Sequence, residues 1–270
     1  MNALCYKIVF SKRLGALVAV GEHTAGQGKA AGTGVRSSVF PLSVIALGID
    51  GFVGSLKAVF ASVALTFITA GASTAAGLAA PASNVLPTGY SVNAGNVAVT
   101  TSGAAMTIKQ ATDKASLNWS SFSVGQDASV NIIQNSSRSV LLNRVVGQDP
   151  SQIFGKISAN GQIILINPNG IVFGKNGSVT ASSFTASTFN LTDDDFANGN
   201  YNFKRDGSKA GVTNQGAIVA TEEGGYIALI GANVTNEGSI KTVKGAVVMA
   251  AGDSVALPSA MTSNIQVPLS

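Results

Sequence analysis

A seven-residue segment occurs twice in this chain. Val212-Thr-Asn-Gln-Gly-Ala-Ile218 returns as Val234-Thr-Asn-Glu-Gly-Ser-Ile240, 22 residues later. Behind each copy comes a glycine-led apolar strand, Gly225-Tyr-Ile-Ala-Leu-Ile-Gly231 and then Gly245-Ala-Val-Val-Met-Ala-Ala-Gly252. A unit of about 20 residues with short strands cannot bury its own inner face, but stacked units bury a continuous column. The period predicts an all-β chain folded as a parallel β-helix, or β-solenoid, one coil per repeat. Its strands would lie about 4.8 Å apart along the axis.

The rest of the chain after Pro87 has the same texture. Short β-rich runs, such as Ser139–Val146, Gln162–Ile166 and Tyr226–Ile230, alternate with turn pairs. Those pairs are Asn160-Gly161, Asn169-Gly170, Asn176-Gly177 and Asn198-Gly199, residue types that tolerate positive φ. A β-sandwich also shows many short strands, but the close 22-residue copy favours the solenoid. At about 20 residues per coil, roughly 188 mature residues would make around nine coils and a rod of about 40 Å. Open strand edges recruit other chains, so the less regular segment Ser91–Gln134 is expected to form an N-terminal β cap.

The charge is unevenly divided. Residues 1–82 carry six basic and two acidic side chains, which accounts for the whole net charge of +4. Residues 83–270 balance 11 basic against 11 acidic. A nucleic-acid-binding body would carry its own basic surplus, so no nucleic-acid partner is expected. Cys5 and His23 are the only residues of their types. Residues 83–270 therefore exclude a disulfide framework, Cys or His nucleophile–base chemistry, and zinc held by Cys or His. No metal and no cofactor is expected.

The first 82 residues read as a long, cleavable export signal. Lys57 is followed by a mostly apolar run over about 58–70, the length of a signal h-region and short of the roughly 20 residues of a membrane span. Small residues follow, and Ala80-Pro-Ala82 gives an A-x-A site with cleavage after Ala82; Ala72 and Ala75 are alternatives. Residues 1–22, with Tyr6-Lys-Ile-Val9, Lys12-Arg13 and Gly15–Val20 before Glu22, resemble the extended signal peptide region (ESPR) of Gram-negative autotransporters and two-partner-secretion exoproteins. Residues 23–82 form the remainder of the signal segment, and 258–270 an irregular tail.

The central block is more specific. It runs Leu117-Asn-Trp-Ser-Ser-Phe-Ser-Val-Gly125, Val130-Asn-Ile-Ile-Gln134, Leu142-Asn-Arg-Val-Val-Gly147, Pro150-Ser-Gln-Ile-Phe-Gly155 and Ala159–Gly174. In that order these motifs resemble the two-partner-secretion (TPS) domain of filamentous-haemagglutinin-type exoproteins, over residues 83–257. The resemblance is nearest to the high-molecular-weight-adhesin-like subgroup, since the Asn-Pro-Asn-Leu motif of filamentous haemagglutinin is absent. It implies a right-handed parallel β-helix and Sec-dependent export to the periplasm. It further implies recognition there by the POTRA domains of a cognate outer-membrane β-barrel transporter of the Omp85 superfamily. The chain would end at the cell surface or outside a Gram-negative cell.

Asn167, Pro168, Asn169, Gly170 and Ile171 carry the family signature. Pro168 presets φ for a turn, and Asn169-Gly170 accepts the left-handed conformations that follow. The motif, with Asn143, Arg144 and Val145, is the candidate transporter-recognition or folding element, and the sequence leaves contact and coil corner open. Asp193–Asp195 reads as a solvated loop run rather than a calcium site. Glu222 and Glu223 are adjacent on a strand and would face opposite sides, which disfavours a paired-carboxylate site. Trp119 and Phe122 are expected to plug the first coils rather than stack on sugars.

The leading reading is the secretion domain of a large exported haemagglutinin or adhesin, and not an enzyme. Host-cell glycans or receptors would be met by repeats downstream of Ser270. The alternatives are the delivery end of a contact-dependent toxin or haemolysin, and a β-helical polysaccharide-active enzyme, which fold alone does not exclude.

Overall fold

The structure is a computed structural model that describes residues 6–11, 16–21 and 79–257. The h-region, the sites after Ala72 and Ala75, and the tail 258–270 lie outside the described residues. Strands β1 (Tyr6–Ser11) and β2 (Ala16–Gly21) pair antiparallel. All other described elements belong to the body that begins at Ala79.

The body winds through successive coils. A cap of β3 (Ser91–Ala94) and β4 (Val97–Ser102) precedes coil one, which holds β5 (Ala105–Gln110) and β6 (Lys114–Trp119). Coil two holds β7 (Ser129–Ile133), β8 (Val140–Val145) and β9 (Ser151–Ile153); coil three holds β10 (Lys156–Ala159), β11 (Gln162–Ile166) and β12 (Ile171–Phe173). Coil four starts with β13 (Ser178–Ala181) and β14 (Ser183–Ser187). The chain then leaves the stack to form helix α1 (Asp193–Asn198) and β15 (Tyr201–Lys204), and returns at β16 (Gly211–Asn214). Coil five holds β17 (Ala217–Glu223), β18 (Ile227–Ile230) and β19 (Asn233–Asn236). Strands β20 (Ser239–Val243), β21 (Val247–Ala250) and β22 (Ser254–Leu257) complete the described chain.

Three sheets line the stack. Sheet A runs β4-β5-β7-β10-β13-β17-β20, sheet B runs β3-β6-β8-β11-β14-β18-β21, and sheet C runs β9-β12-β16-β19. Pairing is parallel throughout except for the cap strands, where β4 on β5 and β3 on β6 are antiparallel. The register verifies the repeat: Val212 lies opposite Val234, Asn214 opposite Asn236 and Ile218 opposite Ile240. The long sheets are seven strands deep, short of nine coils. Residues at the N-terminal end of the body go to the cap, and residues 188–210 and β22 lie outside the stack. The cap is also shorter than Ser91–Gln134, because β5, β6 and β7 already pair in the parallel stack.

Sheets A and B differ in how they are buried, and their sequences say why. Strands of sheet A alternate, as in Ser178-Val-Thr-Ala181, with one face inward and one toward solvent. The inner strands of sheet B, β8, β11, β14 and β18, are largely buried on both faces, and β11 and β18 hold unbroken apolar runs, as in Ile163-Ile-Leu-Ile166. The inward set, including Leu141, Ile163, Leu165, Phe184, Ile227 and Leu229, fills the solenoid column. The outward set, including Leu142, Ile164, Ile166, Ala228 and Ile230, lies in a second core with Phe189, Leu191, Phe196, Phe203, Val255 and Leu257. The excursion and β22 therefore form an arm laid over sheet B. At about 25 cal/mol per Å² of apolar surface, each fully buried Leu, Ile or Phe contributes about 1.5–3 kcal/mol, so this second core is a principal stabilising element.

Trp119 and Phe122 close the N-terminal end of the column as expected. Their rings meet edge-on with centroids 5.3 Å apart, and neither reaches solvent to any extent.

Candidate functional site: the Asn167 corner and its anchors

The signature Asn167–Ile171 is the corner between β11 in sheet B and β12 in sheet C. Asn167 is fully buried. Its Nδ2 donates to the Asp149 carbonyl (2.9 Å) and to Ser151 Oγ (3.0 Å), both on coil two. Its Oδ1 accepts from the Asn169 backbone N–H (2.9 Å) and from Asn169 Nδ2 (3.2 Å). This is an Asx turn, the side-chain mimic of a backbone turn. Asn169 Nδ2 also reaches the Gly147 carbonyl at 2.8 Å. The Gly170 N–H closes the turn on the Asn167 carbonyl at 3.1 Å. Gly170 has φ 115, a conformation that L side chains rarely adopt. Ile171 starts β12 inside the column.

What the corner shows to solvent is small. Pro168 and Asn169 are exposed, but the Asn169 side chain is already bonded inward. The Pro168 carbonyl accepts from Ser208 Oγ of the arm at 2.7 Å. The corner is thus tied to coil two below and to the arm beside it.

The second predicted group sits on the adjacent rung. Arg144 of β8 lies opposite Ile166 of β11, one residue before Asn167. Asn143 and Val145 point into the column, where the Asn143 Oδ1 accepts from Trp119 Nε1 at 3.1 Å. Asn143 Nδ2 has no partner among the described residues. Arg144 points the other way, under the arm. It pairs with Asp193 at 2.9 Å and donates to the Leu191 carbonyl at 2.6 Å.

Asp193 and Asp194 are exposed, as the sequence reading has it, but the acidic run lies in a helix and not in a loop, which corrects that part of it. Asp193, Asp194 and Asp195 form the first turn of α1, capped by Thr192 Oγ1 accepting from the Asp195 N–H at 3.1 Å. Acidic groups there complement the helix N-terminus. Asn93 of the cap also donates to Asp193, at 3.1 Å. Burial alone would raise the Asp193 carboxyl; the hydrogen bonds from Asn93 and Arg144 and the Arg144 charge outweigh it and hold the carboxyl below its ordinary value. At the other end of α1, Lys114 of β6 donates to the carbonyls of Phe196 (3.2 Å) and Ala197 (2.8 Å). Lys114 and Asn93, and the anchoring role of Asp193, escaped the sequence reading. The signal for α1 was present as Thr192 followed by an acidic turn and then Gly199.

The carboxylate pair Glu222–Glu223 lies at the exposed end of β17, where Glu223 bonds Lys244 at 2.8 Å. Among the described residues no group of three or more His, Cys, Asp or Glu converges on a common point. The arrangement at the corner holds backbone in place; its polar groups are spent on one another.

Two family models match the chain. The model described as the TPS secretion domain covers residues 83–268, and that of the extended signal peptide of type V secretion systems covers residues 1–49. A heme/hemopexin-binding protein of Haemophilus influenzae is 38% identical over 173 residues, 62% of this chain and 19% of that protein. A second protein of that name and species is 39% identical over 100 residues, 37% of this chain and 11% of that protein. The crystal structure of the HMW1 secretion domain from Haemophilus influenzae aligns with a TM-score of 0.65 at 31% identity, covering 68% of this chain and 49% of that one. The chain spans about a fifth or less of the length of the curated relatives it matches. The two family matches mark export across the periplasm to the surface or exterior of a Gram-negative bacterium. The chain belongs to the TPS secretion domain family and carries the secretion domain of a two-partner-secretion exoprotein.

Proposed function

We propose that residues 83–257 are read in the periplasm by the POTRA domains of a cognate outer-membrane transporter, after signal cleavage behind Ala82. The start of the family match at residue 83 supports that cleavage site. Within this domain the Asn167–Ile171 corner acts by setting the fold rather than by touching the transporter. The observation that carries this reading is Asn167 itself, buried and with its side chain bonded to coil two and to its own turn. Arg144 acts alongside it by holding the arm. The exoprotein is of the adhesin type, and its host contacts belong to parts beyond this chain. Binding of heme or hemopexin is not carried over, since the matched segment is 19% of the relative so named.

The test is secretion of the full chain co-expressed with its transporter. Asn167→Ala should lower both the stability and the secreted yield. Pro168→Ala, paired with a check of unchanged stability, should leave secretion near wild type. If that variant abolishes secretion while the periplasmic chain still accumulates, the corner is a contact and the folding reading fails.

A further inference from the structure

In a solenoid each coil touches only its neighbours, and stability is a sum of nearest-neighbour terms. The arm departs from that rule. It leaves the stack within coil four, yet its anchors are spread from the cap to the last described strand. Asp193 is held by Asn93 of the cap and Arg144 of coil two. The C-terminal end of α1 is held by Lys114 of coil one, and Ser208 bonds Pro168 of coil three. At the other end, β15 pairs antiparallel with β22, Tyr201 opposite Leu257 and Lys204 opposite Ser254. The Arg205 N–H donates to the Asp253 carbonyl at 2.8 Å.

We propose that the arm is a strap that closes last and couples the two ends of the stack. The apolar outer face of sheet B grows as each coil is added. It is fully covered only when Ser254–Leu257 join, because β22 supplies the strand partner of β15 and adds Val255 and Leu257 to the second core. A chain presented from its N-terminus therefore passes through a stage of stacked coils with one apolar face uncovered. Arrival of Leu257 ends that stage. The strap depends only on the fold and stands apart from how the transporter reads the domain.

Coupling between two sites is reciprocal, and that supplies the test. Hydrogen exchange read by mass spectrometry on the full chain would compare Arg144→Gln with Leu257→Ala. Arg144→Gln should speed exchange in residues 254–257, several coils away, by about tenfold, within the usual range for coupled sites. Leu257→Ala should speed exchange in residues 191–198 to a similar extent. Strands β10 and β13 of sheet A, on another face, should keep their wild-type rates. Should Arg144→Gln fail to fold, Lys114→Gln makes the same perturbation more gently. Acceleration confined to the substituted coil and its neighbours would overturn the strap. Equal acceleration in sheets A and B would overturn it too, since the whole stack would then be opening.

Discussion

Replacing Asn167 by alanine removes four hydrogen bonds at one stroke. A hydrogen bond of this kind contributes about 1 kcal/mol net, and a buried partner left unmatched loses more. Not all four losses are equal. Asp149 and Asn169 are exposed, so the Asp149 carbonyl and the Asn169 N–H recover part of their loss from water. Ser151 is fully buried, and its hydroxyl does not. The expected destabilisation is about 2–4 kcal/mol. With a urea slope of about 2 kcal/mol/M, the midpoint should fall by about 1–2 M. Trp119 is the only tryptophan and is fully buried, so its fluorescence reports the transition directly. Asn167→Asp keeps the shape but turns two donors into acceptors facing a carbonyl and a hydroxyl, and should be at least as damaging. Pro168→Ala removes only an exposed ring and should shift the midpoint by less than about 0.5 M. A shift under about 0.3 M for Asn167→Ala would refute the reasoning, because the internal bonds would then not be holding the corner.

Gly147→Ala should destabilise by about 1–3 kcal/mol in thermal unfolding, since its Cβ would overlap the Ser120 carbonyl oxygen. Gly103→Ala meets open space, so its cost is only that of its φ of +57, about 1–2 kcal/mol. Trp119→Phe removes the indole donor and leaves the buried Asn143 amide without its one partner among the described residues; a melting temperature lowered by several degrees is expected. The depressed Asp193 carboxyl makes the arm's anchor acid-sensitive. The anchor contributes fully above the ordinary carboxylate value and is lost as pH falls through the lower folded value. Asp193→Asn should abolish that pH dependence, read as arm amide exchange against pH. Burial pushes Tyr226 up to about 12. Its contribution to stability is intact below the ordinary tyrosine value near 10 and is lost as pH rises through about 12. Absorbance of the phenolate at high pH should therefore show a tyrosine that ionises well above the ordinary value, and Tyr226→Phe should remove that late step.

The coil was legible because its corners demand particular residues. Asn214 shows the mechanism: its Oδ1 accepts from the Gly216 N–H at 3.1 Å, and its Nδ2 donates to Asn236 one coil on at 2.7 Å. A side chain that bonds its equivalent in the next coil must recur at the coil period, and the period can be read from the chain. The Asn167 corner uses the same chemistry with a proline added, and so stood out as a motif. Its internal bonding did not, since no local pattern says that Asp149 and Ser151 lie beneath it.

The arm was hidden for a different reason. Residues 188–210 interrupt a coil, and an interruption has no period. The register shows its size: Ser178 pairs with Ala217, whereas the coils on either side advance by 22 residues, from Lys156 to Ser178 and from Ala217 to Ser239. Yet sheet B held the clue. Ile163-Ile-Leu-Ile166 and Ile227-Ala-Leu-Ile230 are apolar on every residue, and a strand with one wet face would alternate. Such runs require a second layer, and the layer must come from somewhere in the chain. Arg144 fits the same logic. It follows Leu142 on the outward face, where an unpaired charge beside a second core would be costly. It is affordable only because Asp193 and the Leu191 carbonyl arrive with the arm. The residues that resemble a recognition motif are thus the places where one coil is fastened to the next, and where the stack is fastened to its strap.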